Sequence, residues 1–267
     1  MLAEMHIRVW SPPSEPTPRT QAATDSPATA SAPNAPPAAP VASADSVALV
    51  PPGVALPDHP AGWATLGWAD LQSAVQQCQS CALGQTRRQA IWGQSAQSPD
   101  TPHADWLVVL PPPSADDDAQ GMPMAGEPGQ LLANVLAAVG LQPEGTGPLG
   151  QSVFITPAVK CAPPQARNPQ PTELDMCAHH LARQVAMLQP RVIVAMGLVA
   201  AQAVLQHDAA QIAKLPLGRL RSQVWQHQGI PVVVTYPSAY LLRNPSDKAK
   251  AWADWCMARS LAGAQAG

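Results

Sequence analysis

Four cysteines carry the most specific chemical signal in the chain: Cys78 and Cys81 as a C-x2-C pair, then Cys161, then Cys177. Two thiolates two residues apart reach one metal site from a single turn of backbone, and two more from distant segments complete a four-sulfur shell. The spacing points to a metal centre that draws three stretches of chain together. The alternative is a set of buried structural thiols spaced this way by accident. Disulfides suit the chain less, because nothing in it looks secreted. The fifth cysteine, Cys256, stands between Trp255 and Met257 and reads as a core residue.

These residues need a scaffold, and the hydrophobic pattern supplies one. Short β-branched runs at 106–110 (WLVVL), 152–156 (SVFIT), 191–195 (RVIVA) and 231–235 (PVVVT) read as buried strands. Helical patterns fall at 129–139, 172–188, 197–207 and 246–261. The pair Thr172-Glu173 starts the second of these and Pro190 ends it. Strands alternating with helices imply βαβ units and a parallel sheet covered on both faces. In such a sheet the functional loops lie beyond the carboxyl ends of the strands. Here those loops are 111–121, 157–167, 196–197 and 236–243.

Composition divides the chain of 267 residues unevenly. Residues 11–60 hold 13 of the 32 prolines and few bulky apolar side chains. Such a segment buries too little apolar surface to offset its ordering entropy and reads as a disordered linker. Ahead of it, residues 1–10 (MLAEMHIRVW) form a short amphipathic piece suited to a protein partner, or a frayed terminus. Residues 61–267 read as one domain, of a size that sustains a real core. No secretory pattern opens the chain, and its longest apolar run, 192–201, is far short of the roughly 20 residues of a membrane span. The expectation is a cytoplasmic, monomeric protein without a membrane partner. Net charge is −3, yet basic residues group at Arg87-Arg88, Arg219 with Arg221, and Arg243 with Lys248 and Lys250. A near-neutral protein can present a basic face this way, although a solvated surface also accounts for each group.

Three segments carry a resemblance: 155–177 (ITPAVKCAPPQARNPQPTELDMC), 117–132 (DDAQGMPMAGEPGQLL) and 235–248 (TYPSAYLLRNPSDK). Together with the C-x2-C pair followed by Leu83 and Arg87, they resemble the family 4 uracil-DNA glycosylases. These are the bacterial and archaeal type that carries a [4Fe-4S] cluster. The resemblance implies a three-layer α/β/α sandwich with a short four-stranded parallel sheet, and DNA bound across the strand ends. It also implies cluster ligation by Cys78, Cys81, Cys161 and Cys177; a plain four-thiolate zinc site is the alternative. By the same analogy Lys160, Arg167, Arg221 and Arg243 are candidate phosphate contacts, each with a surface salt bridge or carbonyl cap as its alternative role.

The family's excision chemistry flips the base into a pocket, where an aromatic ring stacks on it and an amide reads its edge. A polar residue in the first loop positions water, and a histidine in the last loop stabilises charge on the departing base. The family writes these groups as G-E-A-P-G, P-F, an Asn after the second strand, and H-P-S. This chain departs at every one. The Glu position is Pro111, the Phe position Met124, the Asn position Pro157 and the His position Pro237. Proline offers neither a side-chain donor nor an N–H, and Met124 packs softly without ring stacking. Asp116, Asp117 and Asp118 are the nearest substitutes for water activation, although the last two match a family E-D pair that structures the loop. His179 and His180, after Cys177, read as solvent-facing.

The expectation is a glycosylase-family, DNA-repair-type protein that keeps the fold, the cluster and DNA binding and has lost uracil excision. The competing readings are an active glycosylase with a rearranged site, and an iron–sulfur interaction or redox protein on the same scaffold.

Overall fold

The computed structural model describes residues 63–94, 102–141, 152–206, 212 and 214–264. The expected segments 1–10 and 11–60 lie outside them, as does residue 207 at the end of the expected third helix.

All four expected strands form, within a residue of their expected limits: β1 (Trp106–Leu110), β2 (Val153–Pro157), β3 (Val192–Met196) and β5 (Ile230–Thr235). The sheet order is β2-β1-β3-β5, with one further strand outside β5, and the β1–β2, β1–β3 and β3–β5 pairs are parallel. Every residue of β1, β2 and β3 is buried, as uninterrupted apolar runs require when helices cover both faces.

The four-strand expectation needs one correction. A fifth strand, β4 (Val224–His227), pairs antiparallel with β5 at the sheet edge. Gln228 and Gly229, both at positive φ (50° and 84°), join the two in the tight reversal a two-residue hairpin demands. Its Val-Trp-Gln-His alternation is exposed and half-buried by turns. It therefore lacks the continuous apolar signature of the other four.

Alternating strand residues feed two hydrophobic clusters. On one face Leu107, Val109, Phe154, Ile193 and Val232 pack with Leu71 and Val75 of α1 (Trp68–Gln77) and with Leu181 and Val185 of α5 (Pro171–Leu188). On the other, Val108, Ile155, Val194 and Val233 pack with Leu132 and Leu136 of α4 (Gly126–Ala138) and with Trp255 and Ala258 of α9 (Lys248–Ala264). The result is the three-layer α/β/α sandwich. No helix among the described residues is long and apolar enough to cross a membrane.

Local sequence explains the loops at the strand ends. Ser114 caps α3 (Ala115–Gln120): its side chain accepts from the Asp117 N–H at 3.1 Å, and Asp117 Oδ2 accepts from the Ser114 N–H at 2.8 Å. After β5, the chain turns at Pro237 into α8 (Ser238–Arg243). Gly197 sits at φ 94°, and a Cβ there would stand 2.8 Å from Pro237 Cγ, so only glycine lets these two loops close. The expected start of α5 shifts slightly: Gln170 is the cap, Pro171 the first helical residue, and Glu173 accepts back from the Gln170 N–H at 2.7 Å.

Candidate active-site pocket and cysteine centre

The carboxyl ends of β1, β2 and β5 open onto one cavity of about 110 Å³. Pro111, Met124, Pro157 and Pro237, four positions from four separate segments, all line it. Pro112, Pro113, Pro123 and Pro128 add to the wall, so the lining is overwhelmingly apolar. Pro157 is tolerated in β2 because β2 is the edge strand. The Ile155 N–H already bonds outward to Gln94, and residue 157, two positions on, faces the same open side.

Among the described residues, three side chains that carry polar atoms reach this cavity: Ser114, Asp117 and Ser238. Asp117 is committed, with Oδ2 on the Ser114 N–H and Oδ1 accepting from the Ala125 N–H at 2.6 Å. Asp118 is equally occupied, accepting from the Arg88 and Gln89 N–H groups at 3.0 and 3.3 Å. Asp116 is exposed and lies outside the lining. Asp117 and Asp118 thus hold the loop together, and of the three carboxylates Asp117 borders the cavity.

Met124 enters the wall at φ 62°, a left-handed conformation. Gly129 sits directly behind it, where a Cβ would collide with the Met124 carbonyl oxygen. Gly129→Ala should therefore push the turn outward at a cost of about 1–3 kcal/mol. The expected readout is faster amide exchange over residues 121–125, with protection in β1 and β3 unchanged.

The four cysteines come together on a second, smaller cavity, which they line with Arg87, Lys160 and His180. Cys78 ends α1, and Cys81 precedes α2 (Leu83–Thr86). Gly84 permits the tight fold between them, since a Cβ there would stand 2.8 Å from the Cys78 carbonyl. Cys161 follows the turn after β2, and Cys177 lies on α5. With Leu83 and Val159, Cys161 and Cys177 form a small hydrophobic cluster of their own. The Lys160 N–H donates to Cys177 Sγ at 3.1 Å, and Arg87 Nη1 donates to Cys161 Sγ at 2.9 Å. The rest of the Arg87 guanidinium is held by the carbonyls of Val75, Gln76 and Cys78 at 3.4, 2.7 and 2.9 Å. One side chain thus ties the C-x2-C segment to Cys161.

Burial pushes the Cys161 thiol up to about 11, against the pull of Arg87, and the Cys177 thiol up to about 12, with Cys161 adding to the rise. Burial also raises Cys81. Lys160 moves the other way, down to about 8 on burial, with Cys177 and Cys161 opposing the fall. A metal ion bound to these sulfurs would offset that cost, because its positive charge displaces the thiol protons. Among the described residues no three His, Cys, Asp or Glu side chains are grouped so as to hold a metal ion.

Several expectations change at this point. Lys160 is not a phosphate contact: it is 1 % exposed, and its ammonium donates to Thr156 Oγ1, Pro157 O and Gln184 Oε1. Arg221 is buried too, bonded to Asp254 at 2.7 Å and to the Lys250 carbonyl, and stacked over Tyr236 at 4.3 Å. It braces α9 against the last loop. Arg167 is partly exposed, but its two terminal nitrogens hold Glu173 at 2.8 and 2.7 Å, fixing the start of α5. Of the four candidates, Arg243 alone is exposed, with no carboxylate partner among the described residues. His180 is buried rather than solvent-facing and stacks on Trp63 with centroids 4.0 Å apart, while His179 is exposed. Cys256 is exposed, the reverse of a core residue.

Comparison with known proteins decides the family. Residues 99–256 match the model of the uracil DNA glycosylase superfamily. The chain belongs to this superfamily. It is 31 % identical over 180 residues to the type-4 uracil-DNA glycosylase of Pyrobaculum aerophilum, covering 66 % of this chain and 85 % of that protein. The type-4 enzyme of Archaeoglobus fulgidus is 29 % identical over 180 residues, with 66 % and 83 % covered. That of Thermotoga maritima is 31 % identical over 176 residues, with 65 % and 82 % covered. For this superfamily member, both the resemblance to family 4 and the sandwich fold expected from the motifs hold. The cavity ringed by Pro111, Met124, Pro157 and Pro237 sits where strand ends place the working loops of such a fold.

Proposed function

We propose that this chain is a DNA-binding, cytoplasmic member of the superfamily that holds a [4Fe-4S] cluster and does not release uracil at a useful rate. The observation that carries the reading is the strand-end cavity. Its four key positions are three prolines and a methionine, and its one carboxylate is already bonded to two backbone N–H groups. A flipped base there would meet apolar walls with, among the described lining residues, no amide to read it, no ring to stack on it and no cation to take up its developing charge. Losing one preorganised electrostatic contact costs about 10²–10³ in rate.

Cys78, Cys81, Cys161 and Cys177 would hold the cluster, which when bound supplies a rigid four-thiolate node. The chain's residues prepare that node. Arg87 and the Lys160 N–H bond to two of the sulfurs, and the Arg167–Glu173 pair pins the segment between Cys161 and Cys177. In protein loaded with its centre, ligation protects four thiols and leaves Cys256 outside. A maleimide should then add once, and peptide mapping should place the adduct on Cys256.

DNA binding would use the exposed cations bordering the strand ends, Arg243 first. Binding should weaken steeply with salt, and Arg243→Ala should reduce the slope of log K against log salt by about 1. Absence of binding at low ionic strength would remove the DNA role. The excision half of the reading is tested by single-turnover incubation of excess loaded protein with single- and double-stranded uracil-containing DNA. Base release no faster than the protein-free control is expected, and release clearly above it would establish an active enzyme with a rearranged site.

A further inference from the structure

A buried ammonium needs an anion, and Lys160 has no carboxylate among the described residues. Its acceptors are neutral, and their roles are fixed by the next bonds along. The Thr156 hydroxyl donates to the Trp92 carbonyl at 2.7 Å, and the Gln184 amide nitrogen donates to the same carbonyl at 3.3 Å. Both oxygens are therefore left to accept from Lys160, and the Pro157 carbonyl takes a third bond at 3.2 Å. Three donated bonds describe a protonated amine.

Across the same cavity stands Arg87, whose guanidinium meets three carbonyls and the Cys161 sulfur, again with no carboxylate among the described residues. One enclosed cation, Lys160, and one half-buried cation, Arg87, beside four cysteines are balanced when the cysteines carry the charge. Four thiolates around a [4Fe-4S]²⁺ core leave two net negative charges, which two cations neutralise.

We propose that Arg87 and Lys160 are the paired counter-ions of the four-cysteine centre and hold its reduction potential up. Reduction by one electron makes the centre more negative, so each cation favours the reduced state. Lys160 has a further consequence: its bond to the Pro157 carbonyl joins the charge of the centre to the wall of the strand-end cavity. The inference rests on the cluster reading above.

The test is a spectroelectrochemical titration of anaerobically purified, loaded protein, with electrons drawn from the electrode through mediator dyes. Lys160→Met, Arg87→Gln and Arg87→Lys are compared with the parent after iron and sulfide analysis. Lys160→Met and Arg87→Gln should each shift the midpoint to lower potential. Arg87→Lys, which keeps the charge but loses the fork of carbonyl bonds, should stay near the parent even where its thermal stability falls. A purely structural role would lower cluster content in both Arg87 variants and leave the potentials of the loaded fractions together. Unchanged potentials in loaded Lys160→Met and Arg87→Gln overturn the proposal. Where Lys160→Met does not load, the Arg87 pair decides. Zinc or no metal in the parent protein overturns the cluster reading, and this proposal with it, and is visible in the metal analysis before any variant is measured.

Discussion

The quadruple variant Pro111→Glu, Met124→Phe, Pro157→Asn, Pro237→His should release uracil from DNA at least about 10²-fold faster than the parent chain. The argument begins with convergence: the four positions come from separate loops and line one cavity. The backbone accepts the changes at 237, 157 and 124. Pro237 has φ −65° and ψ 146°, an extended conformation open to any residue. Pro157 lies on the outer side of the edge strand, so a new N–H faces the open edge and breaks no pairing. Phenylalanine at 124 meets the same left-handed φ that methionine already adopts. Each restored group is worth about 10²–10³, and groups acting as a unit are strongly non-additive. Single reversions should therefore stay at background, with activity returning only in the combination. Alkali cleavage after single-turnover incubation reads the result. A parent chain already as fast as the quadruple variant would show that other groups do the work. A quadruple variant without gain, on an intact fold, would show that the proline walls have also changed the path of the loops.

What the sequence makes legible here follows from how strongly each residue's surroundings are written in its neighbours. Continuous apolar runs such as WLVVL have one good solution, a strand buried on both faces, and all four were placed within a residue. β4 was hidden because an edge strand with one wet face has no such run, and its signal lay in the Gln-Gly reversal instead. The cysteines were legible through spacing, and the cavity through the order of strand ends. Charge was the weak point. Lys160 and Arg221 look like surface cations in a string of letters, because their partners, Gln184 and Asp254, lie 24 and 33 residues away. His180 and Cys256 carry a local signal in their helix geometry. His180 shares the helical face of Cys177, Leu181 and Gln184, all buried, whereas Cys256 sits about 100° around α9 from Trp255 and so turns outward.

Removing one ligand should expose the same hidden charge energetically. Cys177→Ala is expected to lose the iron and to lower Tm by roughly 6–20 °C, while far-UV circular dichroism stays close to the parent. The sheet should survive because its two hydrophobic clusters contain no cysteine, and Cys161 and Cys177 belong to a separate small cluster with Leu83 and Val159. The stability loss comes chiefly from Lys160, left enclosed with its anion gone. Stripping one partner from a buried charge pair costs about 3–5 kcal/mol. Each kcal/mol moves Tm by about 2–4 °C in a domain of this size. The decisive comparison is the double variant Cys177→Ala, Lys160→Met. Methionine fills much of the lysine's volume without a charge, so the double variant should melt higher than Cys177→Ala alone. In the loaded parent the same Lys160→Met change should destabilise. A reversal of sign between the two backgrounds is what a counter-ion produces, because its worth depends on the anion being present. Equal destabilisation in both would assign Lys160 to packing and hydrogen bonding with Thr156 and Gln184, and the cysteine centre would need another source of charge balance.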